Sequence, residues 1–429
     1  MLWKKWEATL VIALALFSLF FGAGNLILPP QLGFKSGNEW WLLVIGFSIS
    51  AVFIPILGIM AHAKLQGTMF DFGKKVSPLF SVIFCYAVYA ISIALPSPRT
   101  ASVTHEMGVA PLFDSSPLLT STIYFTLVFV FVLNRSKIMD IIGKFLTPAI
   151  VIILLVIIGV SVFTVPWDFG ISTIEQPVSY GILEGYQTFD AIGAVVVGGV
   201  VIISLNLKKK SGDYAQKRSM IAWAGWISGV GLLLIYGGLI LSGALLHDQF
   251  DSDISRTGLV SAISALTLGK QANLLLSILI SLACFTTAVG IVTGTADFVK
   301  SRFNNSQKAY FITAFLGSLL GVLMGQLNVD YIIAVAVPAL MFIYPLTIVL
   351  ILLNALPEKW TSVPVFRWVV GATIFFSIPD FLGSLGVSEI TETVAQWIPL
   401  AEVNLGWSLP ALLVFLIANF RVTQPKSTN

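Results

Sequence analysis

FSLFFGAGNLILPP, residues 17 to 30, lies within the first long apolar run of the chain and is at odds with it. The flanking residues are apolar enough for a membrane helix. Within the stretch, however, Gly22 and Gly24 flank Ala23, Asn25 follows, and Pro29 and Pro30 close it. These residue types tolerate or force an interruption of helical hydrogen bonding. Lipid satisfies no backbone hydrogen bonds, so unwound backbone at membrane depth must line something polar or be buried in protein. The other reading is a close helix crossing through small residues. Asn25 and the paired prolines weigh against it.

Moving outward, a second interruption lies at GYQTFDAIGAVVVGG, residues 185 to 199, where Asp190 stands beside a long apolar stretch. A carboxylate near the centre of a membrane helix costs roughly 2.5 to 3.5 kcal/mol on insertion scales, so Asp190 should have a partner. Alternatively the helix starts later and Asp190 lies at the outer surface, with Glu184 one to two turns before it. The two interruptions fall in the first and sixth apolar spans. Five spans apart, they suggest two inverted five-helix halves, residues 1–165 and 175–356, with two peripheral helices over 357–429. Transport is then an analogy from fold.

The rest of the chain supports an all-α polytopic membrane protein. Of its 429 residues 57% are hydrophobic and 10% charged, and its mean hydropathy is +0.92, far from a soluble domain. A bilayer core about 30 Å thick needs about 20 apolar residues per helix. About 12 such spans are predicted, near 8–34, 40–66, 78–108, 116–133, 142–165, 178–206, 216–246, 272–300, 307–325, 330–354, 366–386 and 405–420. Runs such as AIVIILLVIIGVSVF are apolar throughout and argue against a transmembrane barrel. The N-terminal apolar run continues to Pro30 without a small-residue cleavage site and reads as the first span. Cys85 and Cys284 lie within apolar spans and imply neither a disulfide framework nor a thiolate metal site.

Charge sets an orientation. With both termini cytoplasmic, the inner segments hold Lys4 and Lys5, Lys64, Lys74, Lys75, Arg135, Lys137, Lys144, Lys208 to Lys210, Lys217, Arg218, Lys300, Arg302, Lys308, Lys359, Arg367, Arg421 and Lys426. The outer segments hold Lys35, Arg256 and Lys270, together with acids including Asp251, Glu389 and Glu392. This is the positive-inside pattern. It accounts for the basic residues without a nucleic-acid partner.

In SLACFTTAVG of the eighth span, Ala283, Thr286 and Thr287 share a helix face at i, i+3 and i+4. Two hydroxyls beside a free carbonyl suit a small hard cation; equally, membrane threonines often bond back to their own helix. Arg99 and Glu106 lie toward the outer end of span three, where they could pair, line a vestibule or reach the interface. Tyr344 and Pro345 mark a kink in span ten. His62, His105 and His247 fall near span ends, which disfavours an intramembrane enzyme. A channel is a further alternative.

FGAGNLILPP, PRTASVTHEMG and GYQTFDAIGA together resemble the bacterial branched-chain amino acid:cation symporters, the BrnQ-type carriers, and the resemblance runs over nearly the whole chain. It implies uptake of leucine, isoleucine or valine across the bacterial cytoplasmic (inner) membrane, driven by sodium or, in some members, protons. It also implies a fold similar to the inverted-repeat, LeuT-like transporters. Carried over, the backbone amides of Gly22, Ala23, Gly24 and Asn25 would hold the substrate carboxylate, as a half-helix N-terminus can. Gln187, Thr188 and Asp190 would complete the substrate site, with Asp190 or adjacent carbonyls receiving the ammonium. The cation would lie among Ser18, Phe21, Ala283, Thr286 and Thr287. For a second sodium site Asn25 and Thr188 could serve, but span seven offers no asparagine partner. From spacing, Phe20, Phe285 and Ile291 are candidates for an apolar wall.

Overall fold

A computed structural model describes residues 2–134, 138–196, 198, 214–387 and 396–423. Arg135, Lys137, Lys208 to Lys210, Glu389, Glu392, Lys426 and the second half of span six lie outside the described residues. Among those described, eight helices are long and apolar enough to cross a membrane, and shorter apolar helices accompany them. Large apolar side chains such as Val11, Ile152, Leu234 and Phe375 are exposed, as expected of a surface facing lipid.

The first span is two helices, α1 (Leu2–Phe20) and α2 (Ala23–Ser36). The interruption is at Phe21 and Gly22, slightly before the glycine-rich centre. Gly22 is extended (φ −104°, ψ −177°) and caps α2 without a side-chain hydrogen bond, so Ala23, Gly24 and Asn25 form the first helical turn. Pro29 and Pro30 lie inside α2 and do not end it. Each removes one intrahelical bond, but α2 is held along a facing helix at backbone contact. A Cβ on Gly33 would overlap the Ile240 carbonyl, and one on Gly243 would overlap that of Pro30. The close small-residue crossing and the broken helix therefore coexist in one span.

Next come α3 (Trp40–Ser48), continued through a π-turn into α4 (Ile54–Leu65), and a short α5 (Met69–Gly73). Helix α6 (Pro78–Ala94) bends at Leu95 before α7 (Pro96–Val103) and a π-turn over Thr104–Val109. They are followed by α8 (Pro117–Asn134), α9 (Ile138–Thr164) and α10 (Pro177–Tyr186). After a break at 187–189 the helix resumes as α11 over 190–196.

The remaining helices are α12 (Tyr214–Leu245), α13 (Arg256–Leu268), α14 (Lys270–Arg302) and α15 (Gln307–Gly325). The last are α16 (Val329–Ala355), α17 (Val363–Ser384) and α18 (Ser408–Thr423). The short α13, capped by the Ser255 hydroxyl, was not expected from the sequence. Helix α12 packs along α1 and α2, α10 along α3, and α16 along α17. The two interrupted helices are thereby held against continuous ones.

Candidate functional site

Both interruptions meet at one place. At the second, Phe189 adopts a left-handed conformation (φ +62°), which strains a non-glycine residue. It turns the chain so that Asp190 opens α11. The Thr188 hydroxyl donates to the Gly185 carbonyl (2.8 Å) and accepts from the Asp190 amide (3.2 Å), which satisfies backbone groups freed by the break. Asp190 is 4% exposed, so it does not lie at the outer surface.

Asp190 has partners from two other helices. The Asn25 amide donates to its Oδ2 (2.7 Å) and to the Phe20 carbonyl (2.8 Å). The Tyr236 hydroxyl of α12 contacts the Asn25 amide and donates to Asp190 Oδ2 (3.4 Å). Span seven thus brings a tyrosine where no asparagine was found. The Ala191 amide donates to the Tyr344 hydroxyl (3.2 Å), whose ring stacks on Tyr186 at 4.3 Å. The residue singled out for a kink in α16 therefore braces the start of α11.

Arg99 is buried at the same crossing, not at the outer interface. Its Nη1 donates to the Gln187 carbonyl (2.8 Å), and its guanidinium lies over the Phe189 ring at 5.4 Å. It does not pair with Glu106, which accepts from the Thr257 hydroxyl (2.6 Å) and the Val329 amide (2.9 Å). The bend before Pro96 sets the direction of α7 and with it the placement of Arg99.

These groups border a cavity of about 240 Å³ lined by Gly22, Gly24, Asn25, Arg99, Thr188 and Asp190, with Phe20, Phe189, Ile192 and Ile291 as apolar wall. Gln187 turns its backbone carbonyl to Arg99, and its buried side-chain oxygen lacks a partner. Phe285 is not a wall residue; it packs edge-on against Tyr124 and Phe131 at 5.7 and 5.2 Å. Thr286 and Thr287 also line the cavity, and both hydroxyls donate to the Ala283 carbonyl (2.9 and 3.0 Å). Ser18 and Phe21 do not line it; Phe21 stacks on Phe17 at 5.4 Å. No group of three or more His, Cys, Asp or Glu residues able to hold a metal occurs among the described residues.

From the crossing the cavity extends along α6, α11 and α14 to Tyr89, Val196 and Thr295. Across the crossing from these residues, Arg256 of α13 joins Glu184 of α10 (2.9 Å) and Asp330 of α16 (3.1 Å). The partly enclosed cavity between the two broken helices is polar where Asn25 and Asp190 meet and largely apolar beyond.

The fold is shared with solved membrane transporters of low sequence identity. An inward-facing conformation of Mhp1 superposes with a TM-score of 0.61 at 11% identity, covering 97% of this chain and 91% of that one. A Na+-coupled sialic acid symporter in a substrate-bound outward-open state gives 0.57 at 11% identity, covering 97% and 90%. In sequence, the family described as "Branched-chain amino acid transport protein" matches residues 5–424. The branched-chain amino acid transport system 2 carrier protein of Pseudomonas aeruginosa is 35% identical over 95% of this chain and 94% of its own length. The branched-chain amino acid permease BraB of Bacillus subtilis is 33% identical over 94% and 93%. The chain belongs to this branched-chain amino acid transport protein family.

Proposed function

We propose that the protein imports leucine, isoleucine or valine together with sodium by alternating access, with the substrate between the broken helices. Asp190 receives the ammonium, the first-turn amides of α2 receive the carboxylate, and Phe20, Phe189, Ile192 and Ile291 surround the aliphatic side chain. Gln187 and Thr188 shape the second break. The observation that supports this reading is a cavity bordered by both breaks, polar where Asn25 and Asp190 meet and apolar beyond. The sodium-coupled symporter of the same fold and the named substrates of the sequence relatives agree with it.

The finer architecture belongs to the same proposal. Twelve spans would form two inverted halves, 1–165 and 175–356, followed by two helices in 357–429, in the cytoplasmic (inner) membrane with both termini inside. The half of the cavity reaching Tyr89, Val196 and Thr295 then points to the cytoplasm. Sodium would be held by Thr286, Thr287 and the Ala283 carbonyl with the carbonyl of Phe21 and Ser18 from the first span. In that role the two hydroxyls exchange their bonds to Ala283 for the ion.

Labelled leucine uptake into proteoliposomes, with sodium and proton gradients imposed separately, tests the reading. Saturable uptake with counterflow, driven by the sodium gradient, is expected; non-saturating flux would indicate a channel, and a response to the proton gradient alone would reject sodium. Replacing Thr286 and Thr287 together with alanine should sharply weaken apparent sodium affinity, while uptake at saturating sodium partly survives. Unchanged sodium dependence in an inserted double variant would reject the ion site.

A further inference from the structure

Arg99 is 4% exposed and lines the cavity. A buried guanidinium in a membrane protein needs compensation, and its protein partners supply little. Among the described residues the guanidinium makes one hydrogen bond, to the neutral Gln187 carbonyl, and one ring contact, to Phe189. Among the described residues no carboxylate forms an ion pair with it. Glu106 is bound to Thr257 and Val329, Glu184 to Arg256, and the Asp190 Oδ2 to Asn25 and Tyr236.

Its position is specific as well. The guanidinium lies against Gly24, where an added Cβ would overlap it. It therefore sits beside the second residue of α2, at the positive end of the helix dipole, where the Asn25 backbone amide already donates to the Gly22 carbonyl (3.2 Å) and the amides before it in the first turn are left to the site. Two positive elements placed together, one a planar fork of N–H donors, match a carboxylate bound through both oxygens.

We propose that Arg99 anchors the substrate α-carboxylate beside the first turn of α2, so that Arg99 and Asp190 form two fixed poles matched to a zwitterionic amino acid. The inference rests on the amino-acid site proposed above and adds the residue that would distinguish amino acids from amines of the same shape. Gly24 is part of the device, since any side chain there would displace the guanidinium.

The test compares leucine with leucinol, which keeps the ammonium and side chain and replaces the carboxylate with a hydroxymethyl group. Binding to purified wild type, Arg99→Gln and Arg99→Lys in sodium is measured. Wild type should favour leucine. Arg99→Gln should weaken leucine by about ten-fold or more, the range expected for a charged hydrogen bond, and leave leucinol nearly unchanged; Arg99→Lys should restore part of the preference. Equal losses for both ligands would assign Arg99 to holding the Gln187 carbonyl and overturn the proposal, as would unchanged leucine binding in Arg99→Gln. If Arg99→Gln does not fold, wild type decides: equal affinity for leucine and leucinol overturns it. Failure of wild type to bind leucine at all would count against the substrate reading instead.

Discussion

Asp190 and Asp380 are both carboxylates buried in membrane helices, 4% and 1% exposed, and their surroundings are opposite. Asp190 stands at a helix break, accepts from Asn25 and Tyr236, and borders a cavity. Asp380 sits in α17 beside Pro379. Neither of its side-chain oxygens has a well-formed hydrogen bond, and it does not line that cavity. Burial is common to both and so does not mark a functional site. What separates them is the pair of donors from two other helices and the open volume beside one of them. A polar network that joins separate helices rigidifies their crossing while leaving one face of the carboxylate for a ligand.

The comparison is broken most directly at Asp190. Asp190→Asn keeps the size and an acceptor for Asn25 and Tyr236, so the crossing should fold, but the charge is gone. If the carboxylate receives the substrate ammonium, leucine affinity should fall by about ten-fold or more, corresponding to roughly 1.5 to 3 kcal/mol for a charged hydrogen bond. If it serves the coupling ion, sodium dependence changes first. Wild-type leucine binding and sodium dependence in an inserted variant would remove Asp190 from the site.

The supporting shell should matter less. Tyr236→Phe removes a hydroxyl that contacts both Asn25 and Asp190 and preserves the ring, which packs edge-on against Phe47 at 5.4 Å. A neutral hydrogen bond contributes about 0.5 to 1.5 kcal/mol, so a loss of about two- to ten-fold in leucine affinity is expected. A larger loss than in Asp190→Asn would move the centre of the network to α12.

The two partners of Asp190 differ in how far the sequence announced them. Asn25 stood out because it followed Gly-Ala-Gly inside an apolar run. Tyr236 lies in GLLLIYGGLILSG, where a ring is at home, and spacing does not separate a hydroxyl aimed at a site from one carried by a packed ring. Apolar runs placed the helices to within a few residues because their length is set by the bilayer. The first break falls slightly early because Gly22 serves as the cap and the next three residues form the first turn of α2. Pro29 and Pro30 misled because a tight contact with α12 holds α2 together past them. For Arg99 the sequence leaves pairing with Glu106, a vestibule and the interface open, although the prolines just before it, Pro96 and Pro98, are a signal that the helix bends and turns that residue inward. Phe285 shared a plausible spacing with Ile291 but faces Tyr124 and Phe131, a choice made by neighbouring helices.

The smallest effect is expected at Asp380, where the comparison is sharpened by the absence of harm. Removing one member of a buried pair is destabilising because it strands the other, but Asp380 has no such pair among the described residues. The Gly406 backbone amide faces it, without a well-formed hydrogen bond. Replacing an unsatisfied polar group by an apolar group of similar shape is close to neutral or stabilising. Asp380→Leu should therefore leave leucine uptake and its sodium dependence unchanged and keep or raise the thermal midpoint in detergent; Asp380→Asn should behave similarly, with a smaller stability gain. The informative failure is a variant that inserts and melts like wild type yet loses transport. Asp380 would then carry a function despite lacking the donors and cavity that single out Asp190, and burial in α17 would have to be read as a second polar site.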